Sequence, residues 1–375
     1  MVSFKILFPF YKEYLEQKMD LLEFYYDNPP TNEYYVERKL QLSLNGDLNL
    51  YGARGCGKTA IILDYIAQSD KKVLYIDLED PKLLLQSYDT LLVDTFIQEY
   101  EIDELILDHY IDGLLQSFPN VDRLILLSRL PIINDRFINQ PLHPLDYEEF
   151  LAFEHHKSEN IAFNHFLKIG TMPLSAMYQK SFTLKMKLFF QHQFNATEQS
   201  ILLILSRYHT QPLTIHQIYT YTKEYFKISK DSLYSTIKTL VEEGVIYFID
   251  NEIKRSGKKL IIYDFALAKY LSTNQSFSTN FDALVCMSLI KHHKEFKTFG
   301  IYGYITSTNE LIIPAPFESE ESIWVKSQNR YSLYKKHNIS KVSIITVANS
   351  FEFDIEKLHF EAIPYTEWSI IDDDI

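Results

Sequence analysis

Glycine is scarce in this 375-residue chain, 10 in all, so the few places where the backbone can turn through left-handed conformations at no cost are informative. Cysteine is scarcer: Cys56 and Cys286 are the two present, which gives neither a disulfide framework nor a metal-ligand spacing. No window approaches the ~18 consecutive apolar residues of a membrane span. The amino terminus, MVSFKILFPFYKEY, lacks a basic stretch leading into a small-residue cleavage site. These absences predict a soluble, cytoplasmic protein without a membrane partner. Positive charge is also short: 37 Lys and Arg stand against 50 Asp and Glu, a net charge of −13. The chain as a whole therefore repels polyanions, and any nucleic-acid contact needs a local basic surface.

What is present is ample apolar material, 46% of residues, enough for a core in each of two or three domains. Aromatic residues make up 15% and are spread along the whole chain, which favours packing over a dedicated stacking platform. Three of the ten glycines fall in one octapeptide, Gly52-Ala53-Arg54-Gly55-Cys56-Gly57-Lys58-Thr59. It fills the pattern G-x-x-x-x-G-K-[ST]. Residues 45–51 (NGDLNLY) read as a turn and short strand before it, and Ala60 onward (AIILDYIA) as an apolar helix after it. A strand, glycine loop and helix in that order point successive backbone N–H groups at an anion, with a helix N-terminus behind them. In that geometry Lys58 reaches the β- and γ-phosphates of a nucleotide and the Thr59 hydroxyl ligates Mg²⁺. Gly52 to Ala60 form the predicted nucleotide-binding set, with ATP and Mg²⁺ as cofactors. The alternative is a glycine-rich turn. Cys56 is either a thiol activated by Lys58 and the helix N-terminus or a tolerated small residue.

Strand and helix signals alternate from about residue 45 to 145. Residues 71–79 (KKVLYIDLE), 104–109 (ELILDH) and 121–128 (VDRLILLS) read as further apolar strands with helical patterning between them. Such runs predict a parallel sheet covered on both faces, an α/β domain of the P-loop type. From Pro144 the pattern turns helical. Helices expected over 196–208, 214–225 and 229–243, then two strand-like runs at 245–249 and 259–263, follow the order of a winged helix-turn-helix. Ser229 fits as an N-cap and Gly244 as the residue just past a helix end. Beyond residue 264 strands and helices alternate again, with a helix expected at 281–293 and strands at 300–305, 310–313, 322–326 and 341–347. Four domains are expected: a P-loop core (1–145), a helical lid (146–195), a winged helix (196–263) and a small α/β domain (264–375).

A hydrolysing phosphate site also needs an acid at the end of an apolar strand for the Mg²⁺ shell, and a base for the attacking water. Leu105-Ile106-Leu107-Asp108 supplies the acid. His109 follows it, as a base or as a surface residue, and Glu79 and Asp80 are neighbouring acids able to substitute. Ser128, after the strand 124–127, is placed to sense the γ-phosphate. Arg129 and Arg136 are candidates to neutralise charge in phosphoryl transfer, or members of surface ion pairs.

In these residues the chain resembles the prokaryotic P-loop ATPases of the AAA+/STAND-like group, the archaeal-type ATPases. The resemblance runs over nearly the whole chain: YGARGCGKT at 51–59, VLYIDLEDP at 73–81, Leu105 to Asp108, 121–128, Arg136, LHPLDYEEF at 142–150 and FLKIGTMP at 166–173. It implies an ATPase core joined to a winged helix and a restriction-endonuclease-like C-terminal domain, and a nucleotide-linked role for Arg136. Relatives generally place Glu where His109 stands, so the resemblance implies binding with weakened hydrolysis. In relatives the last domain needs an acid on a helix, one on a strand, and acid-x-Lys on the next strand. Asp282 and Glu310 match the first two, but the expected third strand, Ile323-Trp324-Val325-Lys326, carries Trp324 at the acid position. A retained fold without cleavage chemistry is the expectation.

Between Arg207 and Lys259 nine basic residues exceed six acids by three. Lys230, Ser232, Tyr234, Ser235 and Lys238 are candidates for the exposed face of a recognition helix, and Lys254, Arg255, Lys258 and Lys259 for a basic wing on phosphates. Double-stranded DNA, a protein partner or a second copy of the chain are the possible targets. The function expected is an ATP-binding ATPase with weak or regulated hydrolysis that works as a switch on such a target, or a nucleotide-gated binding module that does not hydrolyse.

Overall fold

The structure is a computed structural model. It describes residues 19–32, 34–85, 90–154, 159–254, 257–272, 276–292 and 294–371. The chain divides into two compact units, Met1–His143 and Pro144–Ile375.

The first unit is built on five parallel strands: β1 (Asp47–Tyr51), β2 (Val73–Asp77), β3 (Glu104–Tyr110), β4 (Arg123–Ser128) and β5 (Phe137–Pro141), in the spatial order β2-β3-β4-β1-β5. Strands β3 and β4 are almost wholly buried, which is why they read as unbroken apolar runs rather than alternating ones. One face packs Leu74, Ile76, Leu105, Leu107, Leu124 and Leu126 against helix α2 (Thr90–Tyr100) and Leu22 and Tyr25 of the helical segment 19–27. The other packs Leu48, Leu50, Ile106, Ile125 and Leu127 against Ile61 and Ile62 of helix α1 (Lys58–Gln68). The sequence pattern does not mark β5. Its run Phe-Ile-Asn-Gln-Pro is polar and ends in proline, because it is the edge strand and pairs only with β1 among the described residues.

The second unit opens with helices α3 (Tyr147–Leu151), α4 (Glu159–Ile169), α5 (Pro173–Met177), α6 (Phe182–Gln193) and α7 (Ala196–Leu205). Strand β6 (Pro212–Leu213), helices α8 (Ile215–Tyr225) and α9 (Lys230–Glu242), and the hairpin β7 (Ile246–Ile249) and β8 (Lys258–Ile262) follow, with β6 and β7 flanking β8. Capping residues set these boundaries: the Ser229 hydroxyl accepts from the Ser232 N–H, and Thr214 forms a reciprocal box with Gln217. After α10 (Phe265–Leu271) and α11 (Phe277–Lys291) comes a six-stranded mixed sheet. Its strands are β9 (Phe296–Thr298), β10 (Tyr304–Thr306), β11 (Glu310–Pro314), β12 (Lys341–Thr346), β13 (Phe351–Ile355) and β14 (Leu358–Pro364), in the order β13-β14-β12-β11-β10-β9. Helix α12 (Glu320–Lys336) joins β11 to β12, and α13 (Tyr365–Ile371) follows β14.

Two expectations are corrected here. Residues 322–326 are not a strand but part of the 17-residue helix α12. The β-rich tetrapeptide Ile-Trp-Val-Lys is overruled by the Ser319 cap, acids Glu320 and Glu321 in the first turn, and lysines in the last. Trp324 is therefore a half-exposed helix residue and not the occupant of a strand position. The strand expected at 300–305 is instead the turn between the antiparallel strands β9 and β10, containing Gly300 and Gly303, and the first residues of β10.

Candidate functional site

Strand β1 ends at Tyr51 and helix α1 begins at Lys58, so Gly52 to Gly57 form the loop between a buried strand and a helix N-terminus. Gly52 is required by a close approach: a Cβ there would lie 2.2 Å from the Leu142 carbonyl oxygen. Gly57 caps α1 in a left-handed conformation (φ 100°). The Lys58 ammonium lies across the loop and donates to the carbonyls of Gly52 (2.8 Å) and Ala53 (3.2 Å). Ala53, Arg54 and Cys56 are buried in the loop, and Ala60 in the first turn of α1 accepts from Asn32 at 2.9 Å.

Beneath the loop the structure brings Thr59 and Asp108 together: the Thr59 hydroxyl donates to Asp108 Oδ2 at 2.7 Å. Asp108 is 2% exposed. Its Oδ2 also accepts from the Tyr75 hydroxyl at 2.8 Å, and its Oδ1 from the His109 backbone N–H at 2.7 Å. A hydroxyl and a carboxylate are the hard oxygen donors that Mg²⁺ takes, with phosphate oxygens and water completing its shell. The pair fits the ion.

His109 stands at a β-bulge, where the β3–β4 register shifts between Leu107 and Tyr110, in a left-handed conformation (φ 56°). The bulge turns its ring toward β2. Nδ1 lies 2.8 Å from Asp77 Oδ1, and Nε2 lies 3.8 Å from Glu79. The hydrogen bond to Asp77 raises the imidazole pKa above its ordinary value against the opposing effect of burial. Burial raises the Asp77 carboxyl, and the bonds from His109 and the Glu79 N–H more than offset it, leaving Asp77 below the ordinary range. His109 is thus a half-buried member of an ion pair, neither a bare surface residue nor a ring directed only at the phosphate loop. Glu79 is also 3.6 Å from Arg129, while Asp80 pairs with Lys82.

Ser128 ends β4 opposite Tyr51, next to the loop, but its hydroxyl is turned back onto the Asn49 side chain (2.7 Å) and the Leu130 carbonyl (2.6 Å). Arg136 is held at the far end of β1 from the loop. Its guanidinium pairs with Asp47 and lies 5.7 Å from the Phe118 ring. Asp47 opens β1, a strand's length of roughly 16 Å from the phosphate loop. Within the chain Arg136 serves the opposite end of the sheet, because the carboxylate and aromatic faces that hold it are there.

Three residues of this site went unmarked in the sequence: Tyr75, Asp77 and Arg38. Tyr75 and Asp77 lie on β2 inside the segment VLYIDLEDP; their register against β3, Asp77 opposite Asp108, is what makes them neighbours. Arg38 precedes the sheet in a polar stretch without a motif. It is buried, and donates to the Cys56 carbonyl and the His143 carbonyl, both at 2.9 Å.

In the second unit two of the four residues of the expected basic wing, Lys258 and Lys259, are taken up by pairing. Lys259 is bound to Asp282 at 2.5 Å, with its ammonium 4.6 Å from the Tyr304 ring, and Lys258 pairs with Asp250 at 2.9 Å. Lys259 as a phosphate contact is thereby corrected: facing α11, it is mostly buried beside an acid. Lys254 is exposed, and Arg255 lies outside the described residues. On α9, Lys230, Ser232, Tyr234, Ser235 and Lys238 are all exposed, and Lys238 pairs with Glu242 at 3.6 Å. Asp282 also accepts from the Tyr304 hydroxyl (2.7 Å), and Glu310 from the Ser343 hydroxyl (2.5 Å). Among the described residues no three His, Cys, Asp or Glu side chains gather into a metal site. No helix among them is long and apolar enough to cross a membrane.

Residues 46–118 match the family model of an AAA domain. No curated protein matches the sequence. Among solved structures, the chain is similar to the Walker-type ATPase of Pyrococcus abyssi, with 13% identity over 60% of this chain and 90% of that one (TM-score 0.40). It is also similar to Drosophila ORC bound to DNA, with 14% identity over 58% and 86% of the two chains (TM-score 0.25). The family match spans β1, β2 and β3 of the five-stranded sheet, together with the loop 52–57 and helices α1 and α2.

Proposed function

We propose that the protein binds Mg²⁺-ATP in the loop Gly52–Thr59, hydrolyses it slowly, and uses the bound state as a switch on a nucleic-acid or protein target. The observation that carries this is the 2.7 Å contact between Thr59 and Asp108 under the loop. It joins the two oxygen donors that would hold Mg²⁺ directly behind a cradle of backbone amides. An ion held there by Thr59 and Asp108 would neutralise charge on the β- and γ-phosphates. Lys58, already lying across the loop, supplies the ammonium for the same oxygens, and Tyr75 holds Asp108 in place. The slow rate rests on His109, whose ring is committed to Asp77 where a water-orienting carboxylate is expected. That same geometry favours a second reading, a nucleotide-gated module that does not hydrolyse at all.

Residues 196–263 are proposed as a winged helix, supported by three helices followed by a hairpin. The remaining boundaries are proposed as a core to residue 145, a lid over 146–195 and a nuclease-like domain from 264. In that last domain Glu310 opens β11, but the next strand, β12, reads Lys-Val-Ser-Ile-Ile-Thr with no acid, and Asp282 is occupied by Lys259 and Tyr304. Those contacts support a fold kept without cleavage chemistry.

Steady-state phosphate release with ATP and with GTP, in the presence and absence of duplex DNA, tests the reading. The wild type is expected to turn over slowly, and Lys58→Ala not at all. Turnover by Lys58→Ala equal to the wild type sinks the proposed site. A robust wild-type rate abolished by His109→Ala makes His109 a catalytic group and overturns slow hydrolysis. No release at all, with retained Mg²⁺-ATP binding, selects the non-hydrolysing reading.

A further inference from the structure

The phosphate loop is gripped from outside by two elements that contribute nothing to its motif. The first is the segment after β5. The Leu142 N–H donates to the Tyr51 carbonyl at 2.7 Å, and the Leu142 carbonyl packs so closely on Gly52 that no side chain fits between them. The second is Arg38, whose planar guanidinium spans the loop and that segment: Nη1 binds the Cys56 carbonyl and Nη2 the His143 carbonyl, each at 2.9 Å. The donors of a planar fork are fixed in one plane at a set spacing, a constraint that the rotating ammonium of a lysine does not impose.

The Cys56 carbonyl is the informative partner. It shares one trans peptide plane with the Gly57 N–H, and the two groups of such a plane point in opposite directions. Arg38 holds the carbonyl on its own side, so the Gly57 N–H is directed away from Arg38. Gly57 is in the left-handed region (φ 100°), and glycine reaches many conformations at similar cost, so its sequence alone does not select this peptide orientation. Something outside the loop must. We propose that Arg38 is a positioning residue for nucleotide binding: by holding the Cys56–Gly57 peptide it pre-sets an amide that receives phosphate oxygen, and its second bond ties that peptide to His143. The inference rests on the nucleotide reading above.

The test measures Mg²⁺-ATP and Mg²⁺-ADP affinity by calorimetry on the full chain: wild type, Lys58→Met, Arg38→Met, Arg38→Lys and Arg123→Met. Arg123 is the control. It is another buried arginine of the same unit, but it binds Glu104 and the Gly46 carbonyl at the other end of the sheet. Thermal melts without nucleotide accompany each variant. Arg38→Met is expected to weaken both nucleotides about tenfold or more, the scale of one charge-assisted hydrogen bond lost. Arg123→Met is expected to lower the melting temperature by a similar amount and leave affinity within about twofold. Arg38→Lys keeps the charge but not the fork, so it is expected to recover folding more than affinity; it serves where the Met variant does not fold. Wild-type affinity in a folded Arg38 variant, or an equal loss in Arg123→Met, overturns the proposal and leaves the nucleotide reading standing. Failure of the wild type to bind, or of Lys58→Met to weaken binding, overturns the nucleotide reading and this inference with it.

Discussion

Single side chains here are decided by the partner that geometry brings rather than by their own type. His109 and Arg136 both invite catalytic roles from the sequence, and each stands beside a carboxylate: Asp77 for the first, Asp47 for the second. His209 shows the opposite case, an imidazole with too few partners. It is buried, its Nδ1 accepts from the Ile262 N–H at 3.1 Å, and its Nε2 has no hydrogen-bond partner. Burial, with the nearby Lys259 charge adding to it, pushes its pKa down to about 3. The unfolded chain then binds this proton from about pH 6.5 downward while the folded one does not, so stability is intact at pH 7 and is lost as the pH falls. Between pH 6.5 and 4.5 the loss from this one group is about 2 kcal/mol. The variant His209→Asn keeps an acceptor for Ile262 and removes the titration, so urea midpoints across that window should fall less steeply by that amount. Parallel slopes for the two proteins would show that His209 is not the group.

At the scale of elements, the buried strands and capped helices were legible because their signals are local. Leu105 to Leu107 and Leu124 to Leu127 are continuous apolar runs closed by Asp108 and Ser128, and Ser229, Thr214 and Gly244 mark helix ends with their own side chains or lack of one. The loop 52–59 was legible for the same reason. Edge strand β5, the turn between β9 and β10 and the helix over 320–336 were not, since each is decided by what lies across from it. The site divides the same way: Thr59 and Asp108 announce themselves, whereas Arg38, Tyr75 and Asp77 depend on register and on a contact from far along the chain. The segment FLKIGTMP gains its reason only in three dimensions. Asp264, buried at the start of α10, accepts from the Thr171 N–H (2.6 Å) and hydroxyl (2.7 Å) and from the Leu267 N–H (2.5 Å). Gly170 (φ 87°) sits so close that a Cβ would lie 2.5 Å from Asp264 Oδ2 and 2.6 Å from Ala266 Cβ. Gly170→Ala therefore adds left-handed strain to a clash with a buried carboxylate, together about 2 kcal/mol or more. A melting temperature lower by about 5 °C is expected, and an unchanged one would mean that the turn is free to relax.

For the molecule as a whole, the charge balance is the strongest constraint on what it can touch. A net charge of −13 opposes any polyanion at long range, so a proposed DNA contact must be short-ranged, local and weakened by salt. Pairing narrows the place further. With Lys258 on Asp250, Lys259 on Asp282 and Lys238 on Glu242, three of the lysines expected to meet phosphates are opposed by acids. Within residues 196–263, Lys223, Lys227 and Lys230 are exposed and near one another in sequence, around the turn from α8 into α9, where the α9 N-terminus adds its own partial positive charge. Lys223 and Lys230 lie near the Tyr219 and Tyr234 rings, at 5.2 and 5.6 Å. If this protein holds duplex DNA, the turn and not the wing should carry the contact. Retardation of a duplex at low salt is expected to weaken about fivefold or more in Lys227→Ala/Lys230→Ala and less than twofold in Lys254→Ala/Lys258→Ala, the fivefold corresponding to one or two phosphate contacts. The salt dependence of the first variant should be shallower by the contacts removed, while its Mg²⁺-ATP affinity stays at the wild-type value. Equal losses in the two pairs would return the contact to the wing, and no retardation at low salt would leave a protein surface as the switch's target.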